Sequence, residues 1–274
     1  DADNKKELII TGEWMPTHIY SWKNDHFVEW ETNLHDLSGW WQTIRIGDLD
    51  GDHRPDLIIG NIGENFYLRP DSAHPVKIWV NDFDNNGITD KVMTYTIDGK
   101  DKPVFLKRDM ELQIPSLKKD NLKHADYAKK TIQDLFPPAL LNKAIVRTFN
   151  YPSSIIAFNL GNGKFRIQRM PDQVQLSSLN AILCTDVNGD GAPDLVMGGN
   201  EFGFLPQFGR LDASFGHVLL NDGKGHLAWQ EPATSGLYLT GQIRDIIGIS
   251  GKSTHDILLL RNNDYPVLYR VNKK

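Results

Sequence analysis

A chain of 274 residues with 40% hydrophobic content can form one large all-β domain or two ordinary ones around a sizeable core. Its formal charge of −5 argues against nucleic acid as a partner, because that needs a clustered basic surface. No run approaches the roughly 18 apolar residues of a membrane-spanning helix. The single cysteine, Cys184, excludes an internal disulfide and reads as a buried small hydrophobe within Ala181-Ile182-Leu183-Cys184. Large cores outside the cell often manage without disulfides, so the compartment stays open on this count.

The chain starts with Asp1-Ala2-Asp3-Asn4-Lys5-Lys6-Glu7 and runs into Leu8-Ile9-Ile10, which reads as the back half of an acidic loop and its strand. That start is expected of a fragment of something longer or of a processed product. Tyr20 to Phe27 reads as a weaker copy of the tight hairpins that recur later in the chain. Trp40-Trp41 follows, and because successive strand residues point to opposite faces, at least one of the two is expected in the core.

Next comes the sharpest local signal, Asp48-Leu49-Asp50-Gly51-Asp52-His53-Arg54-Pro55-Asp56, leading into Leu57-Ile58-Ile59. The pattern returns as Asp82-Phe83-Asp84-Asn85-Asn86-Gly87-Ile88-Thr89-Asp90 and as Asp186-Val187-Asn188-Gly189-Asp190-Gly191-Ala192-Pro193-Asp194. Glu7 and Asp256 align with the last acid of each loop. At the Asp256 site, Gly248, Ser250 and Lys252 replace the earlier acids, so no metal is expected there.

Oxygen side chains at positions 1, 3, 5 and 9, with a backbone carbonyl at position 7, match a calcium ion, which takes six to eight oxygens at about 2.3–2.6 Å. The ligand sets are then Asp48, Asp50, Asp52, the Arg54 carbonyl and Asp56; Asp82, Asp84, Asn86, the Ile88 carbonyl and Asp90; and Asp186, Asn188, Asp190, the Ala192 carbonyl and Asp194. Up to three Ca2+ ions are expected. An EF-hand is excluded because position 12 holds Ile59, Met93 or Met197 instead of a bidentate Glu. Magnesium fits less well, since it demands stricter geometry and keeps more water. A solvated turn is the alternative for any one such loop, but three in one chain favour the metal.

Residues 106–144 break the strand pattern and read as two or three helices, with Asp120-Asn121-Leu122 capping the second and Pro137-Pro138 ending it. An insertion of this length is expected to be a packed lid or a partner surface. Ala157 to Phe165 and Leu219 to Leu227 read as hairpins turning at Asn-Gly and Asp-Gly. The repeated unit of loop, strand and hairpin points to propeller blades, each a small sheet unable to bury both faces alone. The expected layout is blades over 1–105, a helical insertion over 106–145, and blades of the same domain over 146–274.

These residues resemble the FG-GAP or VCBS repeats of bacterial surface proteins, related to the propeller of integrin α subunits. The shared motif is Asp-x-Asp-x-Asp-Gly-x-x-Asp-Leu, an apolar strand, and a later Asn-x-Gly-x-Gly-x-Phe hairpin. It is matched best at 48–60, 159–165 and 186–198, less well at 82–92 and 221–227, and partly at 1–10 and 245–260. The resemblance implies an all-β propeller with structural calcium. It departs at position 6 of the first loop, where His53 stands and is expected to strain the turn.

Neither HExxH nor GxSxG occurs, and no nucleophile has an obvious neighbouring base, so no catalytic residue is assigned. His18, His35, His74, His124, His217 and His255 are expected at the surface or in turns. Two loops after equivalent strands, Gly60 to Tyr67 and Gly199 to Asp212, are expected on one face. Asn61, Asn65, Asn200, Glu201, Phe202, Arg210 and Asp212 are its candidate ligand-binding residues, with packing of the phenylalanines between blades as the alternative. The resulting expectation is a calcium-stabilised extracellular, cell-surface or periplasmic binding or scaffold module of a larger protein, recognising a glycan or protein. The alternatives are a carbohydrate-active enzyme of lyase or dehydratase type, and an accessory subunit of an outer-membrane assembly.

Overall fold

The computed structural model describes residues 6–250 and 255–271, so the start of the chain through Lys5, and with it most of the first half-loop, lies outside the described residues. The chain is all-β apart from short helices, and its described strands form separate antiparallel sheets. Contacts divide it into two compact units, one comprising Asp1–Tyr67 and Pro152–Lys274, the other Leu68–Tyr151. These boundaries differ from a division at residues 106 and 145: the helices share a compact unit with the sheet carrying the second acidic loop.

In the larger unit, Leu8–Ile10, His18–Lys23 and His26–Glu29 form a three-stranded sheet, the last two joined through Asn24 and Asp25 at φ 49° and 62°. A four-stranded sheet follows in the order Lys164–Arg169, Ile155–Gly161, Asp56–Gly60, Thr43–Gly47. Its two central strands are far apart in sequence, yet pair with Ile155 opposite Ile59 and Ala157 opposite Leu57. Leu179–Thr185, Asp194–Gly199, His217–Asn221 and Leu227–Gln230 form a second such sheet as an uninterrupted meander. Ile243–Ser250, His255–Arg261 and Val267–Val271 close the series as a three-stranded sheet.

Strand alternation explains why Leu195-Val196-Met197 is apolar throughout. Leu195 and Met197 pack with Ile58, Ile156 and Phe158 of the interrupted sheet and with Leu49 of its acidic loop, whereas Val196 packs with Val218, Ile243, Ile246, Ile257 and Leu259 towards the C-terminal sheet. The uninterrupted sheet is thus buried on both faces, which removes the polar alternation a half-exposed strand would show. Both Trp40 and Trp41 are buried. Cys184 is only partly buried at the edge of this core, and its thiol is pushed up to about 11, mainly by burial.

The smaller unit has one sheet, ordered Lys100–Pro103, Asp90–Ile97, Val76–Asn81, Ile145–Phe149. Its helical stretch is five short helices, Lys107–Gln113, Leu117–Asp120, His124–Tyr127, Ile132–Leu135 and Pro138–Leu141, rather than two or three. Asp120 ends a helix instead of starting one, and the Asn121 amide donates to the Leu117 carbonyl at 2.8 Å, satisfying a C-terminal acceptor. Thr131 and Asp134 form the capping box of the fourth helix, and Pro138 opens the fifth. Met110, Ile114, Leu117, Tyr127, Ile132 and Phe136 pack on Phe83 and Val92, so the helices cover their own sheet.

Candidate functional site

Each acidic loop closes on itself through carboxylates that accept backbone N–H groups. In the first, Asp48 accepts from Gly51 at 2.8 Å and from His53 at 2.9 Å, while Asp50 accepts from Asp52 at 3.4 Å. Gly51 and His53 take φ of 77° and 65°, so the departure at His53 sits in a left-handed conformation that glycine would hold at less cost. The third loop repeats the scheme, Asp186 accepting from Gly189 at 2.6 Å and Gly191 at 3.1 Å, with glycine at both left-handed positions. In the second, Asp82 accepts from Asn86 at 3.0 Å and Gly87 at 2.8 Å.

The last acid of each loop is buried, and Asp56 and Asp194 also bridge to another strand. Asp56 accepts from Leu49 N–H at 2.9 Å and, across the sheet, from Asn159 N–H at 2.8 Å. Asp194 does the same with Val187 at 2.9 Å and Asn221 at 2.8 Å, and Asp90 accepts from Phe83 at 2.9 Å. Burial raises the pKa of all three above the usual carboxylate range; backbone hydrogen bonds oppose the rise, and neighbouring loop acids add to it. A cation placed among these groups would offset both the burial and the mutual repulsion.

The residues present fit such a cation. Carboxylate oxygens of Asp48, Asp50 and Asp56 lie within 4.8 Å of one another, as do those of Asp82, Asp84 and Asp90. Asp84 Oδ1 is buried without a hydrogen-bond partner, a costly state for a charged oxygen unless something positive meets it. The third loop has Asn188 where the others have Asp50 and Asp84, and the Asn188 amide donates to Asp190 at 2.8 Å. Asp52 is drawn aside by the Arg54 guanidinium, whose Nε also donates to the Asn159 carbonyl at 2.8 Å. At the fifth position Arg270 Nε donates to Asp256 at 3.2 Å, so a side chain supplies the positive partner; Lys252 lies outside the described residues.

The loops after Gly60 and Gly199 come together. Phe66 and Phe204 lie 4.8 Å apart between ring centroids, Trp40 meets both at 5.6 and 5.8 Å, and Trp14 meets Trp40 at 5.2 Å. Tyr67 stacks on Phe208 at 4.1 Å with the rings 6° from parallel. Phe66 is buried, whereas Tyr67 is 37% exposed. Beside them Glu64 accepts from Arg169 Nε at 2.6 Å and Nη2 at 2.8 Å and from Ser153 Oγ at 2.6 Å. The charged pair holds the Glu64 carboxyl below its ordinary range.

Within these loops the seven predicted ligand-binding residues occupy different places. Asn61 and Asn200 are buried, with amides engaged by the backbone: Asn61 Oδ1 accepts from Trp40 at 3.0 Å and Ile62 at 2.8 Å, and Asn200 Nδ2 donates to Ser214 and Gly241, both at 2.8 Å. Glu201 accepts from Gln242 at 3.0 Å and pairs with Arg244 at 3.4 Å. Asn65, Arg210 and Asp212 are exposed, and the Arg210 guanidinium lies over the Phe202 ring at 4.9 Å. Sequence reading left out Trp14, Tyr67 and Phe208 as site residues. The repeated Gly-Asn followed by aromatics in both loops was the available signal for the last two.

His217 corrects an expectation: it is buried at the start of its strand. His74 and His124 are exposed, while His18, His35 and His255 are half-buried.

A family model described as an FG-GAP-like repeat matches residues 1–59. The molecule is therefore an all-β protein containing an FG-GAP repeat. Among curated proteins, none matches the chain. No helix among the described residues is long and apolar enough to cross a membrane.

Proposed function

We propose that this chain is a calcium-stabilised, propeller-type binding module of an extracellular or cell-surface protein, which recognises a glycan or protein through its aromatic face. Support for the propeller comes from small antiparallel sheets stacked through their side chains, each acidic loop joining the first two strands of its sheet. Calcium is held by Asp48, Asp50 and Asp56, by Asp82, Asp84 and Asp90, and by Asp186, Asn188, Asp190 and Asp194, with backbone carbonyls completing each shell. The ion neutralises the loops and stiffens the turns; recognition belongs to other residues.

The observation that carries the binding role is the convergence of two loops distant in sequence on the stacked pair Tyr67 and Phe208, with Arg210 and Asp212 exposed nearby. A stacked aromatic pair beside charged groups suits a sugar ring or an extended peptide, because it offers a flat apolar surface with polar atoms at its rim.

Two measurements test the reading. Chelation lowers the melting temperature by several degrees and millimolar calcium restores it; a melting curve unmoved by chelator rejects the metal. On glycan and protein arrays the calcium-loaded chain gives a saturable hit that Tyr67→Ala weakens about tenfold or more while the melting temperature stays within a few degrees. Binding indifferent to Tyr67→Ala places recognition elsewhere.

A further inference from the structure

We propose that His18, Glu29 and His35 form a transition-metal site of the zinc class, chemically distinct from the acidic loops. His18 Nδ1, Glu29 Oε1 and His35 Nε2 lie within 4.8 Å of one another. Two imidazole nitrogens and one carboxylate oxygen suit Zn2+, Co2+, Ni2+ or Cu2+, whereas calcium prefers an all-oxygen shell.

The backbone assembles the three groups from separate elements. Tyr20 stands opposite Glu29 in the hairpin register, and His18, two residues before Tyr20, shares that face and reaches the same carboxylate diagonally. His35 arrives on the one-turn helix Asn33–Asp36. That helix is fixed on both sides: Leu34 is buried, and the Asn33 side chain donates to the Phe165 carbonyl and accepts from the Phe165 N–H, both at 2.8 Å. The ligand set is thereby held before any metal arrives, which lowers the ordering cost of binding.

The separation between His35 and Glu29 is the one that matches two ligands of a shared ion. A tetrahedral zinc with bonds of about 2.0–2.1 Å separates its ligand atoms by about 3.3 Å. His35 Nε2 is 3.1 Å from Glu29 Oε1, and His18 Nδ1 hydrogen-bonds the same oxygen. His35 Nε2 is shielded from solvent, and Glu29 is the group it faces. Both histidines thus aim a ring nitrogen at one carboxylate oxygen, an arrangement that a shared metal ion also uses. Side-chain exposures of 24% for His18, 30% for His35 and 40% for Glu29 leave the site open to solvent. Three protein ligands leave a fourth position for water or a partner's side chain.

The test uses the full chain without an affinity tag, stripped of metal and held in millimolar calcium so that the acidic loops are saturated. Titration with Co2+ gives visible ligand-field bands that saturate at one equivalent and are bleached by Zn2+. His18→Ala, Glu29→Gln and His35→Ala each weaken Co2+ binding about tenfold or more, with near-ultraviolet circular dichroism unchanged. The unmodified protein supplies a reading that does not depend on any variant folding: Zn2+ shifts the ring-nitrogen resonances of His18 and His35. Absence of a saturable band, unaltered affinity in all three folded variants, or ring shifts confined to other histidines overturns the site.

Discussion

His217 shows how one side chain carries a pH dependence into the fold. Trp229 Nε1 donates to its Nδ1 at 3.3 Å and Ser214 Oγ lies 3.1 Å from its Nε2, so the neutral ring carries its proton on Nε2 and donates it to the hydroxyl. Burial pushes the pKa down to about 4 from an ordinary 6.5. The unfolded chain therefore binds the extra proton first as pH falls. The stability this residue contributes is complete above pH 6.5 and is lost between pH 6.5 and about 4, amounting to about 3 kcal/mol if fully expressed. Urea unfolding of the calcium-loaded protein against His217→Gln should show the parent losing more stability over that window; equal slopes would contradict it. The buried state was not readable from sequence, because a histidine ahead of Val218-Leu219-Leu220 can face either side of a strand, and only the neighbouring sheet decides which side is wet.

At the scale of elements, the acidic loops were the most legible feature, since their closing hydrogen bonds join residues two to five positions apart and follow from local spacing. Their last acids were half legible. Burial of Asp56 and Asp194 follows from the apolar strands behind them, but the bridges to Asn159 and Asn221 depend on a strand elsewhere in the chain. Arg54 was read only as a carbonyl donor, and its side chain on Asp52 became visible only in three dimensions. The Gly-Asn pairs ending two strands also have a tertiary cause. A Cβ on Gly199 would sit 1.7 Å from the Ser178 carbonyl oxygen, and one on Gly60 would sit 2.3 Å from that of Leu179. Gly199→Ala is therefore expected to cost about 2–3 kcal/mol. Gly12→Ala, with only an ordinary 3.5 Å contact to Met15 Sδ, should cost less than about 1 kcal/mol. Denaturant midpoints of the two variants give the comparison, and equal effects would contradict it.

For the whole molecule, the central event is the interruption of one sheet between Gly60 and Ile155. The chain leaves after Tyr67, builds a second compact unit, and returns at Pro152. The ends of the excursion are pinned within the larger unit: Gly63 N–H donates to the Pro152 carbonyl at 3.0 Å, and Asn61 donates to Ser154 Oγ at 2.9 Å. A chain in which 68–151 is replaced by a short Gly-Ser linker should keep cooperative unfolding and bind one fewer calcium, because the Asp82 loop leaves with the excursion. Isothermal titration and a melting curve test this; a chain that fails to fold would show that the larger unit needs the smaller.

Sequence alone determined the all-β class, the acidic loops with their spacing of carboxylates, and the hairpins at Asn162-Gly163 and Asp222-Gly223. All of these rest on interactions within about ten residues, which spacing and turn chemistry specify. Tertiary structure decided which strands share a sheet across an excursion, which aromatics meet, and which histidine is dry. It alone brought His18, Glu29 and His35 to one point, because a pairing register and a helix anchored on Phe165 fix the distance between residues that no local pattern connects.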